Sequence, residues 1–184
     1  IDQPILNDPQ PVAEADYLVV ESTYGNRLHD KPKDVRAELT EVLQRAFDRG
    51  GSVIIPAFAV GRTQELLYLL REIKQKKLVH GHDGFPVYLD SPLAEEATSV
   101  FLQCDTDCFD EETRAVLQSG QNPIWCPGLQ LALSAEDSKA INEDTRPKVI
   151  LSASGMCDAG RIRHHLKHNL WMAENIILIA GYQS

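Results

Sequence analysis

Much that would announce a function is missing from this 184-residue sequence. Aromatic residues make up only 7 % of it, and its longest apolar runs, such as Ile176 to Ala180, have strand length. A membrane-spanning helix is thereby excluded. The opening Ile1-Asp2-Gln3-Pro4 has neither the basic start nor the apolar stretch of a signal peptide. Position 1 is not Met, so a processed chain or a piece of a longer protein is expected. Neither Gly-x-Gly-x-x-Gly nor Gly-x-x-x-x-Gly-Lys-Ser/Thr occurs, which speaks against a nucleotide-binding α/β module built on those turns. The four cysteines, at 104, 108, 126 and 157, form no Cys-x-x-Cys pair, and Cys104-x-x-x-Cys108 has no second half at zinc-site spacing. A reduced, cytoplasmic protein is the expectation. Basic residues are also scarce: 18 Lys and Arg stand against 27 Asp and Glu, a net charge of −9. Any polyanion must therefore be held locally, against the overall field.

What is present suffices for a folded domain. The apolar share is 43 % and the charged share 24 %, and the length allows a full core. Residues 1–15 carry three prolines and read as an extended lead-in; Asp16 to Val20 reads as a short strand ending in the polar turn Glu21-Ser-Thr-Tyr-Gly25. From about Lys33 to Arg49 the apolar positions recur at helical spacing, and Gly50-Gly51 stops that helix. Ser52 to Pro56 is the next strand, followed through Ala57 to Arg62 by a helix reaching about Lys77. Pro86 to Asp90 makes a strand, and Ser91-Pro92 starts a helix with Ser as cap and Pro at the first position. A helix near Asp110 to Gln118, short strands at Ile124 to Cys126 and Leu129 to Leu133, and a capped helix from Ser134-x-x-Asp137 to about Asn142 follow. Asn175 to Ala180 is the last strand.

The densest chemistry lies between them. Lys148 to Ala153 reads as a buried strand and Ala159 to Leu170 as a helix, with the small-residue turn Ser154-Gly155 at the handover. Outward N–H groups and the helix dipole make such a turn a candidate anion site. The helix carries Arg161, Arg163, His164, His165, Lys167 and His168, the densest cationic run in the chain. Strands separated by helices predict an α/β domain with a mainly parallel sheet and helices on both faces. Ligands in such sheets sit beyond the carboxyl ends of the strands. Five such ends carry marked groups: Glu21-Ser22-Thr23, Ala57-Phe58 with Gly61-Arg62, Asp90-Ser91, Ser152 to Gly155, and Gly181-Tyr182-Gln183.

These motifs, in order, resemble the β-CASP module of metallo-β-lactamase-fold nucleases, the family of the cleavage and polyadenylation endonuclease, and within it the bacterial branch. The resemblance implies a β-CASP domain over residues 26–184, with residues 1–25 as a lead-in bordering a metallo-β-lactamase domain. It further implies a whole enzyme that carries two zinc ions and cleaves single-stranded RNA, and it is compatible with a homodimer. No His-x-His-x-Asp-His lies within the chain, so the fragment alone is expected to hold no metal and to be inactive. By resemblance Glu21 is a group that orients a histidine outside this chain; from the residues alone a turn cap explains it equally well. Arg62, Ser154, Gly155 and Arg161 are the candidates for holding RNA phosphates. Salt bridges explain Arg62 and Arg161 singly as well, and packing or phosphate contact suits His164, His165 and His168 better than metal ligation. A protein-interaction module without chemistry, using the surface around Trp171-Met172, is the remaining alternative, although packing at the helix end is the better account of those two residues.

Overall fold

The structure, a computed structural model, describes residues 3–26, 34–104, 106–181 and 183. Its centre is a sheet of five short strands, β1 (Val53–Pro56), β2 (Val87–Asp90), β3 (Leu129–Leu131), β4 (Val149–Ser152) and β5 (Ile176–Ile177), in the order β3-β2-β4-β1-β5. Every pairing is parallel. Parallel neighbours need crossovers, and helices supply them: α1 (Val35–Phe47), α2 (Arg62–Gln75), α3 (Pro92–Gln103), α4 (Glu111–Gln118), α5 (Ala135–Glu143) and α6 (Ile162–Asn169).

The strands β1, β2 and β4 are buried on both faces, and their residues divide alternately between two cores. Val53, Ile55, Val87, Leu89, Val149 and Leu151 pack with Leu39, Leu43 and Phe47 of α1 and Leu66, Leu67 and Leu70 of α2. Ile54, Tyr88 and Ile150 point the other way, onto Ile141 of α5 and Ile162 of α6. Helices therefore cover both faces, as the alternating sequence predicts. Each fully buried Leu or Ile contributes about 1.5–3 kcal/mol of transfer free energy, so these two layers supply the main driving force.

The helix ends follow their local chemistry. Asp34, Ser91, Asp110 and Ser134 each accept a hydrogen bond from the N–H three residues on, and Asp137 returns a bond to the Ser134 N–H. The α1 helix closes where Gly50 and Gly51 donate back to Phe47 and Ala46.

Two expected strands are absent. Asp16–Val20 has no ladder partner among the described residues, and its apolar side chains are bare, Val19 at 98 % exposure. A strand is completed by its neighbour's hydrogen bonds, and apolar composition cannot supply them. Ile124–Cys126 is instead irregular, because the Asn122 side chain accepts from the N–H groups of Ile124 and Trp125 at 2.9 and 3.1 Å and bends the chain there. Earlier in the chain, Ile5 is buried against Tyr68 and Phe109, pinning the lead-in to α2 and the start of α4. Lys33, where the first helix was expected to begin, lies outside the described residues.

Candidate nucleic-acid interface

Parallel strands point their carboxyl ends to one edge, and residues in or next to several of the marked segments line a groove there, though Asp90-Ser91 and Glu21 to Thr23 do not. A groove of about 540 Å³ is lined by Tyr24 from the polar turn, Pro56, Ala57, Phe58 and Val60 after β1, Arg62 and Glu65 of α2, Gly155 after β4, and Ala180 and Gly181 after β5. Gln183 donates to the Gly155 carbonyl at 2.7 Å, tying the last motif to the fourth. Tyr182 lies outside the described residues.

The loop from Phe58 to Gly61 is held by the helix it opens. Thr63 donates its hydroxyl to the Phe58 carbonyl at 2.7 Å; the buried Gln64 accepts from the Gly61 N–H at 2.7 Å and donates to the Ala59 carbonyl at 3.1 Å. Neither residue stands out in the sequence, since a Thr and a Gln in a first helical turn are unremarkable. Only their buried partners identify them as the clamp that sets Phe58 over the groove.

Of the expected phosphate ligands, Arg62 and Gly155 line the groove and the other two do not. Arg62 is 43 % exposed and pairs with Glu65 at 2.6 Å, one turn along its own helix. Gly155 is buried because the Phe58 ring lies against it: an added Cβ would sit 2.9 Å from Phe58 Cδ2. The glycine there admits an aromatic ring of the same chain.

The anion cradle expected at Ser154-Gly155 is closed by the chain itself. The Ser154 hydroxyl donates to Asp158 Oδ1 at 2.6 Å, and that bond lowers the Asp158 carboxyl below the usual range. The Ser154 N–H goes to the Ala159 carbonyl and the Ile162 N–H to the Ala153 carbonyl, at 3.3 and 3.1 Å. A helix start whose N–H groups are bonded internally, with a carboxylate beside it, offers an anion little.

Arg161 is likewise turned inward. Its Nη1 donates to Asp90 Oδ1 at 2.6 Å and to the Ala132 carbonyl at 2.7 Å. The same Asp90 carboxylate, wholly buried, accepts at Oδ2 from the Ser138 hydroxyl at 2.5 Å and from His165 Nε2 at 2.6 Å. Burial alone would raise the Asp90 carboxyl; the bonds from His165, Ser138 and Arg161 outweigh it and hold the group below its ordinary value. The network continues through His165 Nδ1 to Asn142, then to Asn169 and Asn175. Asp90 thus fastens the end of β2 to α5 and α6. The packing role expected of His165 is what the structure has, whereas the buried hub at Asp90 is legible only from its partners. Among the described residues no three of His, Cys, Asp and Glu lie close enough together to hold a metal ion.

Glu21 is exposed and accepts from both the N–H and the hydroxyl of Thr23, the former at 2.6 Å. These bonds lower its carboxyl, the Thr23 hydroxyl chiefly, and they brace the Ser22 to Gly25 turn, closed by Gly25 N–H to the Ser22 carbonyl at 2.9 Å. The capping half of the expectation is visible. Its other half needs a histidine from beyond this chain.

Comparison with known proteins places these features in company. The family model for the Beta-Casp domain matches residues 63–184. Ribonuclease TTHA0252 of Thermus thermophilus is 40% identical over 181 residues, which are 97% of this chain and 40% of that protein. Transcription termination factor FttA of Methanosarcina mazei is 33% identical over 169 residues, covering 91% of this chain and 26% of the factor. Endoribonuclease YSH1 of Saccharomyces cerevisiae is 30% identical over 186 residues, covering 99% of this chain and 23% of its own length. The chain thus spans less than half the length of each of these relatives.

Proposed function

The chain belongs to the β-CASP family, and from that premise we propose that it is the substrate-binding part of a zinc-dependent metallo-β-lactamase-fold hydrolase that cleaves phosphodiester bonds of single-stranded RNA. The observation that carries this reading is the groove at the carboxyl edge of the sheet, where Tyr24, Phe58, Arg62, Gly155 and Gly181 converge. Phe58 and Tyr24 present ring faces on which bases stack. Arg62 exchanges Glu65 for a phosphate, since an exposed pair of this kind is worth only about 0–1 kcal/mol. Gly155, Ser154 and Arg161 act by fixing the wall: the glycine seats Phe58, and the Asp158 and Asp90 contacts hold the turn and the start of α6 in place.

The two zinc ions belong, in this proposal, to residues outside the 184. When bound they supply Lewis acidity and a nucleophile at neutral pH. Glu21, already on a braced turn, keeps a histidine of that neighbouring part in its working orientation. The free thiols are compatible with a reducing cytoplasm.

The test uses the full-length protein. Zinc content and cleavage of a single-stranded RNA are measured for the parent, Arg62→Ala and Glu21→Gln. Arg62→Ala is expected to raise KM, and Glu21→Gln to lower turnover about 10- to 100-fold with zinc content unchanged. A zinc-loaded parent that leaves RNA intact overturns the reading; loss of zinc in Glu21→Gln makes Glu21 a ligand instead.

A further inference from the structure

The outer face of α6 is unlike the rest of the surface. From Ala159 to Ala173 the sequence has no acidic residue, in a chain with 27 acids and a net charge of −9. Arg163 and Lys167, one helical turn apart, are both exposed; next to the Ser154 hydrogen bond, the charge of Arg163 helps to lower the Asp158 carboxyl at the near end of the helix. Together with Cys157, Leu166, Leu170 and Trp171, the two cations line a shallow groove of about 550 Å³. Trp171 is 77 % exposed and Leu170 69 %. An unburied indole costs solvation unless something stacks on it, and exposed cations beside it favour a ligand that is both flat and anionic.

Cys157 lines this groove and Gly155 the carboxyl-edge one, two residues apart in the same loop, which makes that loop the route for a strand passing from Phe58 and Gly155 towards α6. The buried network through His165, Asn169 and Asn175 holds the opposite side of α6. The helix is thereby a fixed rail.

We propose that the outer face of α6, through Arg163, Lys167 and Trp171, is a second contact for single-stranded RNA, engaging the part of the strand that runs beyond the carboxyl-edge groove. Charge complementarity favours RNA over an apolar protein partner, since two cations line the same groove as the exposed Trp171 ring. The inference rests on the RNA reading above and adds to it a length dependence.

The full-length protein is compared with Arg163→Gln/Lys167→Gln, Trp171→Ala and Trp171→Phe, using a short RNA of about six nucleotides and a long one of about thirty. All substituted side chains are exposed, so thermal melts are expected to match the parent. For the long RNA, Trp171→Ala should weaken binding about tenfold and Trp171→Phe should restore most of it. The double variant should reduce the salt slope of log K by about 1.4, roughly 0.7 per lost phosphate contact. The short RNA should bind and turn over as in the parent. If the parent cleaves both RNAs but the variants bind the long one with parental affinity and slope, this inference alone is overturned. If the variants change only self-association in sedimentation, the face is a protein interface and the inference is likewise overturned. A parent that binds neither RNA overturns it together with the RNA reading.

Discussion

Asp90 and His165, 75 positions apart in the chain, share a 2.6 Å hydrogen bond with neither side chain exposed. The bond crosses from the carboxyl end of β2 to the middle of α6. Arg161 and Ser138 complete the shell around the carboxylate, so the geometry of the sheet edge depends on one buried acid.

His165→Ala should therefore be costly. It empties a buried site and removes the Nε2–H from a carboxylate that cannot reach water, and breaking one side of a buried pair costs about 3–5 kcal/mol. Urea unfolding measures it. A double variant with Asp90→Ala should lose less than the two single losses added together, because both report one contact. Full additivity would mean that the pair is not coupled.

Acid should act through the same carboxylate. The folded Asp90 lies below its ordinary value despite burial, because its hydrogen bonds favour the charged form. A depressed folded value gives stability that is fully present above the unfolded value of about 3.9 and is lost as pH falls through the folded one. Unfolding free energy measured from neutral pH downward should fall below about pH 4. In Asp90→Asn the curve should start lower and fall less steeply. An acid limb identical to the parent's would remove Asp90 from the account.

Two glycines with the same φ should respond differently to alanine. Gly50 has φ +76 and open space around its missing Cβ; Gly160 has φ +76 as well, but a Cβ there would stand 2.4 Å from the Ala153 carbonyl oxygen. Gly50→Ala should cost only the left-handed strain, about 1–2 kcal/mol. Gly160→Ala should cost clearly more, since the obstacle is backbone, and should loosen the turn beneath Phe58. Thermal melts of the two variants check the order.

The thiols should divide by burial. Burial pushes the Cys126 thiol up to about 11, whereas Cys104 and Cys108 are exposed. Alkylation of the native protein at mildly alkaline pH should modify Cys104 and Cys108 first and leave Cys126 until the chain unfolds. Mass spectrometry of the digested protein reads the order directly. Early loss of Cys126 would mean that the α2 side of the core opens readily.

The sequence by itself determined what depends on near neighbours along the chain. Caps at Ser91 and Ser134 with Asp137, the stop at Gly50-Gly51, and the alternation of helix with strand all arise from contacts a few residues apart, and the structure has them. The parallel sheet follows from that alternation, and with it the gathering of Phe58, Arg62, Gly155 and Gly181 at one edge. Only the tertiary structure decided where polar side chains point. Arg161 turns to the buried Asp90 and Gln64 to the Ala59 carbonyl, because a buried acceptor left without a donor is costly, while Ser154 turns to the exposed Asp158 within its own loop. It also decided which apolar stretch becomes a strand. Val53–Pro56 and Asp16–Val20 look alike in composition, but Val53–Pro56 lies between β4 and β5, whereas Asp16–Val20 meets no ladder partner among the described residues. Hydrogen-bond partners come from distant segments, and local sequence cannot specify them.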